Sequence, residues 1–321
     1  MRLSERLFDA IHSADSKRFK LLSEECRFLQ VICDRSGMFL IHQAVLAGRL
    51  AITRYLLERG ASITFPSRGG STALHLAAAK GDSRMMALLL THLGRSSMPE
   101  TIVGINPIHI AAAEGHLSII RLLIQKGASV RSKDRFGRMP VHFAAGSDQL
   151  AAVKMLVDLD QSMEGETDMY GHTPLHWAAR FGSIRTTPWL LRRGASCTAE
   201  DIYGRSPLCL AYTSGKDCIS VFRHTPKGAS LSLARVSGWT PLHEAAQRGK
   251  FRTIRTLLCD GAQINAQDDL GRTALHIAAF NGSRRLYLWL RAHNASKLLV
   301  DDYGWTAPRL LSFRLIGRRG D

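Results

Sequence analysis

The sequence predicts an all-α fold, a solenoid of stacked helix-turn-helix pairs joined by β-turn or hairpin loops. Three observations predict it. First, the stretch Gly171-His172-Thr173-Pro174-Leu175-His176-Trp177-Ala178-Ala179 returns in close copies: GSTALHLAA from Gly70, GINPIHIAA from Gly104, GRMPVHFAA from Gly137, GWTPLHEAA from Gly238 and GRTALHIAA from Gly271. A weaker version, GRSPLCLAY, starts at Gly204. Second, alignment on the histidine places His42, His75, His109, His142, His176, Cys209, His243, His276 and Arg309 33 or 34 residues apart. A fixed period of that length marks an array whose units bury their apolar faces on one another. Third, glycines such as Gly182 and Gly194 follow the apolar runs at the places where helices must stop.

Each element of a unit has a local reason. The Thr173 hydroxyl is placed to accept a hydrogen bond from an orphan N–H of the first helical turn, and Pro174 stands where a missing N–H does no harm. Ala178 and Ala179 are small enough for the next unit to approach closely, and Gly182 supplies the left-handed residue that ends the helix. A second helix runs to Gly194 with Trp189 and Leu190 on its buried side. A polar turn around Asp201 and Gly204 then leads into the next unit. One such pair cannot cover its own apolar face, so stability accumulates through nearest-neighbour contacts. Each buried Leu or Ile contributes about 1.5–3 kcal/mol.

The Thr-Pro-Leu-His-x-Ala signature and the 33-residue period resemble those of the ankyrin repeat family, and the resemblance covers almost the whole chain. It implies that residues 34–300 form eight internal repeats, between an N-terminal capping helix pair at 1–33 and a truncated C-terminal capping repeat at 301–321. In that family, partners bind mainly on the concave side, formed by the turn tips before each signature and the exposed ends of the first helices. Carried over, the partner-binding tip positions are Arg135, Phe136, Arg138, Tyr170, His172, Tyr203, Arg205, Trp239, Arg272, Tyr303 and Trp305. The helix ends add Arg180, Phe181, Gln247, Arg248 and Phe280. Aromatic and Arg side chains together are the types enriched at binding hot spots. Trp239, Trp305, Phe181 and Phe280 weigh most, because large aromatics there expose apolar area without helping the stack. Leu257 to Asn265 also resembles the loops that asparaginyl hydroxylases modify in ankyrin proteins, although Gln263 replaces the usual acidic residue.

Departures from the pattern carry their own expectations. Asp148 stands where the first-helix Gly belongs. Pro188 lies inside a second helix and is expected to shorten or bend it. Cys209 in the His column, Pro226 and an extra residue before Gly228 make the sixth and seventh units the expected weak seam. Asp158, Asp160, Glu164, Glu166 and Asp168 form an acidic knot, read as a loop neutralising nearby Arg, with a spot for a basic partner segment as the alternative.

No chemistry is expected. The seven column histidines, His42, His75, His109, His142, His176, His243 and His276, belong to different repeats, too far apart for one tetrahedral metal site. They are read as structural, each tying its own Thr to the adjoining turn. HExxH, CxxC and GxSxG are absent from the sequence, and Gly215-Lys216 lacks the rest of a phosphate loop. No catalytic residue, cofactor or metal is assigned. The six Cys show no paired spacing, which points to free thiols and a reducing compartment. With neither a signal peptide nor an apolar run of about 20 residues, an intracellular monomer, cytoplasmic or nuclear, is expected.

The net charge of +16 favours acidic partners. The leading reading is a non-enzymatic scaffold or adaptor that binds another protein, through an acidic or mixed segment, on the concave face. The alternatives are association of the basic C-terminal third with nucleic acid or an anionic membrane, and a substrate-recognition adaptor of a ubiquitin ligase.

Overall fold

A computed structural model describes residues 3–26, 28–94, 98–214, 222 and 238–316, without the side chains of 213 and 314–316. Gly215, Lys216, Cys218, Pro226 and Gly228, which the sequence reading uses, lie outside the described residues. The described residues hold eighteen α-helices and two isolated antiparallel bridges, Cys33 to Phe39 and Val300 to Thr306.

Two compact units are formed, Met1–Met163 and Glu164–Asp321. The first contains five helix pairs: Leu3–His12 with Ser16–Glu24, Leu40–Leu46 with Leu50–Glu58, Ala73–Lys80 with Ser83–Leu93, Pro107–Glu114 with Leu117–Gln125, and Pro140–Gly146 with Leu150–Leu159. The second contains Pro174–Phe181 with Thr186–Arg192, Pro207–Ser214, Pro241–Gln247 with Phe251–Cys259, Ala274–Phe280 with Arg284–Ala292, and Ala307–Ile316. Within each unit the first helices pack on one another. The alanine pairs make this approach close: Ala77, Ala78, Ala111, Ala112, Ala144 and Ala145 in one unit, and Ala178, Ala179, Ala245, Ala246, Ala278 and Ala279 in the other, have no exposed surface. The second helices bury one face each, through Ile119, Ile120 and Leu123 or through Ile254 and Leu257.

Histidine does more of the helix capping than the threonine reading anticipates. Thr173 N–H donates to His176 Nδ1 at 3.1 Å, and the Thr173 hydroxyl lies 2.9 Å from the same nitrogen. The contact expected to form the cap, His176 N–H to the Thr173 hydroxyl, is longer at 3.4 Å. Where Phe39 or Met139 takes the Thr position, the backbone N–H still reaches Nδ1 of His42 or His142, at 3.1 Å in both. The imidazole therefore acts as the third-residue half of a capping box, and it does so with or without the hydroxyl.

The helix that holds Pro188 is short, as expected, but it is not broken there. Pro188 is the third residue of Thr186–Arg192, in the first turn, where its missing N–H is an orphan in any helix. That helix starts late and has 7 residues, against 9 in Phe251–Cys259 and Arg284–Ala292. Asp148 adopts the left-handed conformation of the glycine it replaces, with φ of 56°. The acidic knot is mostly engaged internally: Asp160 pairs with Arg131 at 2.5 Å, Glu164 with Arg193 at 2.8 Å, and Asp168 is buried. Asn265 is exposed, and its Oδ1 accepts from Ser296 N–H at 2.8 Å. The five described cysteines, Cys26, Cys33, Cys197, Cys209 and Cys259, are free thiols.

Candidate functional site

Five of the described turn tips are built around a buried aspartate, read from the sequence only as a polar turn residue. Asp134, Asp168, Asp201, Asp268 and Asp301 are all at most 7% exposed. Asp201 Oδ1 accepts from the N–H groups of Tyr203 and Arg205, both at 2.8 Å, and Asp268 and Asp301 repeat the arrangement. The second carboxylate oxygen then takes the Arg four residues on: Arg138 Nε at 2.6 Å from Asp134, Arg205 Nε at 2.6 Å from Asp201, and Arg272 Nε at 2.9 Å from Asp268. Held this way, each guanidinium lies on an aromatic ring. Arg138 is 4.9 Å from the centroid of Phe136, Arg205 4.7 Å from Tyr203, and Arg272 5.3 Å from Trp239. Tips one repeat apart join by backbone bonds, such as Ile202 N–H to Tyr170 O and Asp302 N–H to Leu270 O, both 3.0 Å.

Such close approach explains the tip glycines. A Cβ on Gly171, at φ +77°, meets Asp201 Cα and Ile202 N at 3.1 Å.

The column histidines complete the scaffold beneath the tips. His176 Nε2 donates to Arg205 O at 3.0 Å, His243 to Arg272 O at 2.9 Å, and His276 to Trp305 O at 3.2 Å. In the first unit, His42 and His75 make the same bond to Phe65 O and Ile105 O, at 3.1 and 2.8 Å. The Nδ1 acceptor role fixes the neutral tautomer with the proton on Nε2. Burial pushes these imidazoles below their ordinary value, His176 to about 4 against the partial opposition of its bond to Arg205 O.

His172, read from sequence as partner-facing, is 5% exposed and is held inside the second unit. Its Nδ1 lies 3.1 Å from Asp168 Oδ2 and its Nε2 3.3 Å from Asp201 Oδ2. Arg205 Nη2 also approaches Nε2, at 3.3 Å. Burial alone would depress this imidazole, but hydrogen bonds to both carboxylates outweigh it and raise its pKa. The protonated ring donates to both aspartates. Once neutral, Nε2 becomes an acceptor for Arg205. Asp168 is held at about 2, where the bonds from His172 and Trp177 overcome the cost of burial.

Six of the sequence-predicted residues come together. Trp239, Arg272, Gln247, Phe280, Tyr303 and Trp305 line one groove of about 440 Å³ with Ile277, Leu310, His276 and Asp301. Trp239 and Trp305 are half-buried instead of fully exposed, whereas Phe280 and Tyr303 are 59% and 71% exposed. Trp239 Nε1 donates to Glu244 at 3.3 Å, Arg309 lies 4.7 Å from the Trp305 centroid, and Trp305 meets Phe313 edge-on at 5.8 Å. Arg248, on the neighbouring helix end, pairs with Glu244 at 2.7 Å. Tyr170, Arg180, Phe181, Tyr203 and Arg205 sit on earlier tips and helix ends of the same unit, outside this groove. Arg135, Phe136 and Arg138 belong to the other unit.

Sequence reasoning missed Ile277 and Leu310. Both follow the His-column position directly, Ile277 after His276 and Leu310 after Arg309. The variable letter of the signature was the available signal, since it recurs at the tip end of each first helix.

A protein built of histidine-tied helix pairs with mutually bonded tips is a repeat scaffold that presents side chains from successive units, and comparison with known families agrees. Profiles described as ankyrin repeats (3 copies) match residues 7–98, 41–134, 108–201 and 198–268, and one described as ankyrin repeats (many copies) matches 242–299. The chain belongs to the ankyrin repeat family, whose members generally mediate protein–protein interaction and are typically non-enzymatic. It is 32% identical over 164 residues, 50% of the chain, to the nuclear factor NF-kappa-B p105 subunit of Gallus gallus. Over 190 residues, 57% of the chain, it is 38% identical to inversin of Gallus gallus. Over 198 residues, 58% of the chain, it is 30% identical to the probable E3 ubiquitin-protein ligase XBOS33 of Oryza sativa subsp. japonica. These matches cover 17%, 17% and 36% of the three relatives, so the chain spans well under two thirds of each. No described helix is long and apolar enough to cross a membrane.

Proposed function

We propose that this chain is a non-catalytic adaptor that captures a segment of another protein in the groove of Trp239, Arg272, Phe280, Tyr303 and Trp305. The groove carries the reading: at about 440 Å³ it has room for one or two large apolar side chains of a partner, the kind of anchor that dominates binding energy. Arg309 stands beside it over Trp305, which favours an acidic residue next to that anchor, while Arg272 and Arg248 are already paired with Asp268 and Glu244. The partner is thus a mixed segment, an apolar anchor with an acidic neighbour. The repeat frame belongs to the same proposal, with internal units over 34–300 and terminal units at 1–33 and 301–321. So does action as a monomer inside the cell, supported by the free thiols.

The test replaces Tyr303 with a photo-crosslinking residue in the full chain, in its native cells, and Leu298, which is 76% exposed and lines no part of the groove, as a control. A protein crosslinked from Tyr303, absent from Leu298, and lost when Trp239→Ala and Trp305→Ala are introduced supports the groove. The same adducts from both positions, or adducts that survive the double substitution, would overturn it.

A further inference from the structure

Away from the tips, the second helices of the same two repeats face each other across another cleft. Phe251 and Arg255, four apart on Phe251–Cys259, oppose Arg285 and Trp289, four apart on Arg284–Ala292. With Arg252 they line a cleft of about 470 Å³. Each helix thus contributes one aromatic and one cationic corner, Phe251 and Arg255 from the first and Trp289 and Arg285 from the second. The two rings meet edge-on at 5.8 Å, and Arg285 lies 5.5 Å from the Phe251 centroid.

Arg252, Arg255 and Arg285 are exposed, and none forms an ion pair among the described residues. The corresponding cleft of the first unit differs. There Arg121 and Lys154 share the lining with Asp158, beside Leu117, Ile124 and Met155. No carboxylate lines the cleft of the second unit. Three uncompensated cations over a half-apolar floor repel one another, and an anion entering among them relieves that repulsion.

The chemistry of the anion follows from what the cleft leaves free. Nucleobase binding relies on an open aromatic face. Here Arg285 lies over Phe251, and the His293 ring stacks on Trp289 at 3.8 Å. What remains accessible is the set of guanidinium forks. A carboxylate offers two oxygens and a single charge, whereas a phosphate monoester offers three oxygens and nearly two charges to three cations. We propose that the cleft between Phe251–Cys259 and Arg284–Ala292 docks a phosphorylated serine or threonine of a partner protein, held by the guanidinium groups of Arg252, Arg255 and Arg285. This site is separate from the tip groove and does not depend on that reading.

Fluorescence anisotropy with the full chain tests it. The probes are a labelled degenerate peptide library with a central phosphoserine, the same library with serine, the same library with glutamate, a single-stranded oligonucleotide, and phosphatidylserine vesicles. The phosphoserine library is expected to bind at least about tenfold more tightly than either other library. It is expected to lose about tenfold or more in affinity in Arg252→Gln/Arg255→Gln, and to be unaffected by Trp239→Ala. Both Arg are exposed, so far-UV circular dichroism should be unchanged, and a ³¹P shift of the bound peptide gives a readout that needs no variant. Equal binding of the three libraries, preference for the oligonucleotide or the vesicles, or affinity that survives the double substitution each overturns the proposal.

Discussion

Acidification should loosen the repeats through their histidine column, and His176 allows the effect to be worked out. Its ring has no exposed surface, Nδ1 accepts from Thr173 N–H, and Nε2 donates to Arg205 O. A proton on Nδ1 would remove that acceptor inside a buried site. Burial penalises the charged ring above all, and the folded value falls from 6.5 to about 4. Because the folded state prefers the neutral ring, this stabilisation is complete above about pH 6.5 and is lost as the pH falls toward 4. The full displacement corresponds to about 3 kcal/mol, of which about 2 kcal/mol is gone at pH 5. His42, His75, His109, His243 and His276 are lowered in the same direction and add to the loss. His172 acts with the opposite sign: its raised value gives stability that is fully present below 6.5 and is lost as pH rises through its folded value. The lowered carboxylates Asp168 and Asp201 keep their contribution above about pH 4 and lose it only below that. Urea unfolding followed by circular dichroism at pH 7, 6 and 5 should show the parent weakening with acid. His176→Gln should weaken by about 2 kcal/mol less over the same interval. An identical pH dependence for parent and variant would refute the argument.

Other perturbations have separate expected outcomes. Asp201→Ala removes the acceptor of two backbone N–H groups and leaves Arg205 and His172 without their shared carboxylate, so a loss of about 3–5 kcal/mol is expected; an unchanged melting temperature would show that Asp201 does not organise its tip. Gly171→Ala places a side chain at positive φ against the next tip, and should cost at least about 1–2 kcal/mol in chemical denaturation. Trp305→Ala should weaken capture of the groove partner by about tenfold or more with helicity intact, and full retention in a binding titration would exclude Trp305 as an anchor. Ile254→Ala, at a fully buried position, should cost about 2–4 kcal/mol. A loss below about 1 kcal/mol would indicate that its helix is loosely packed.

The fold was legible because spacing alone fixes it: the histidine period, the alanine pairs and the helix-ending glycines all express one geometry repeated. The tips were less legible, since their side chains were read singly when they act in combination. The separation of four between Asp134 and Arg138, Asp201 and Arg205, and Asp268 and Arg272 was visible in the sequence, and it is what turns those arginines inward over aromatic rings. The same separation between Asp168 and His172 explains why that histidine is buried. Trp239 and Trp305 were read as exposed aromatics because the cations that lie over them, Arg272 and Arg309, come from the next repeat or from the following helix, and no local pattern announces that. For Pro188 the shortening was legible, but its place in the first turn was not, since the helix begins only after the turn at Ile184 and Arg185.

Within each unit, column imidazoles reach forward to a carbonyl of the following repeat, as His243 does to Arg272 O and His276 to Trp305 O. A rung lost at one end therefore strips the bond from its immediate neighbour and from no other. Under limited proteolysis, fraying should advance stepwise, leaving a ladder of fragments that differ by one repeat length, in place of a single abrupt collapse.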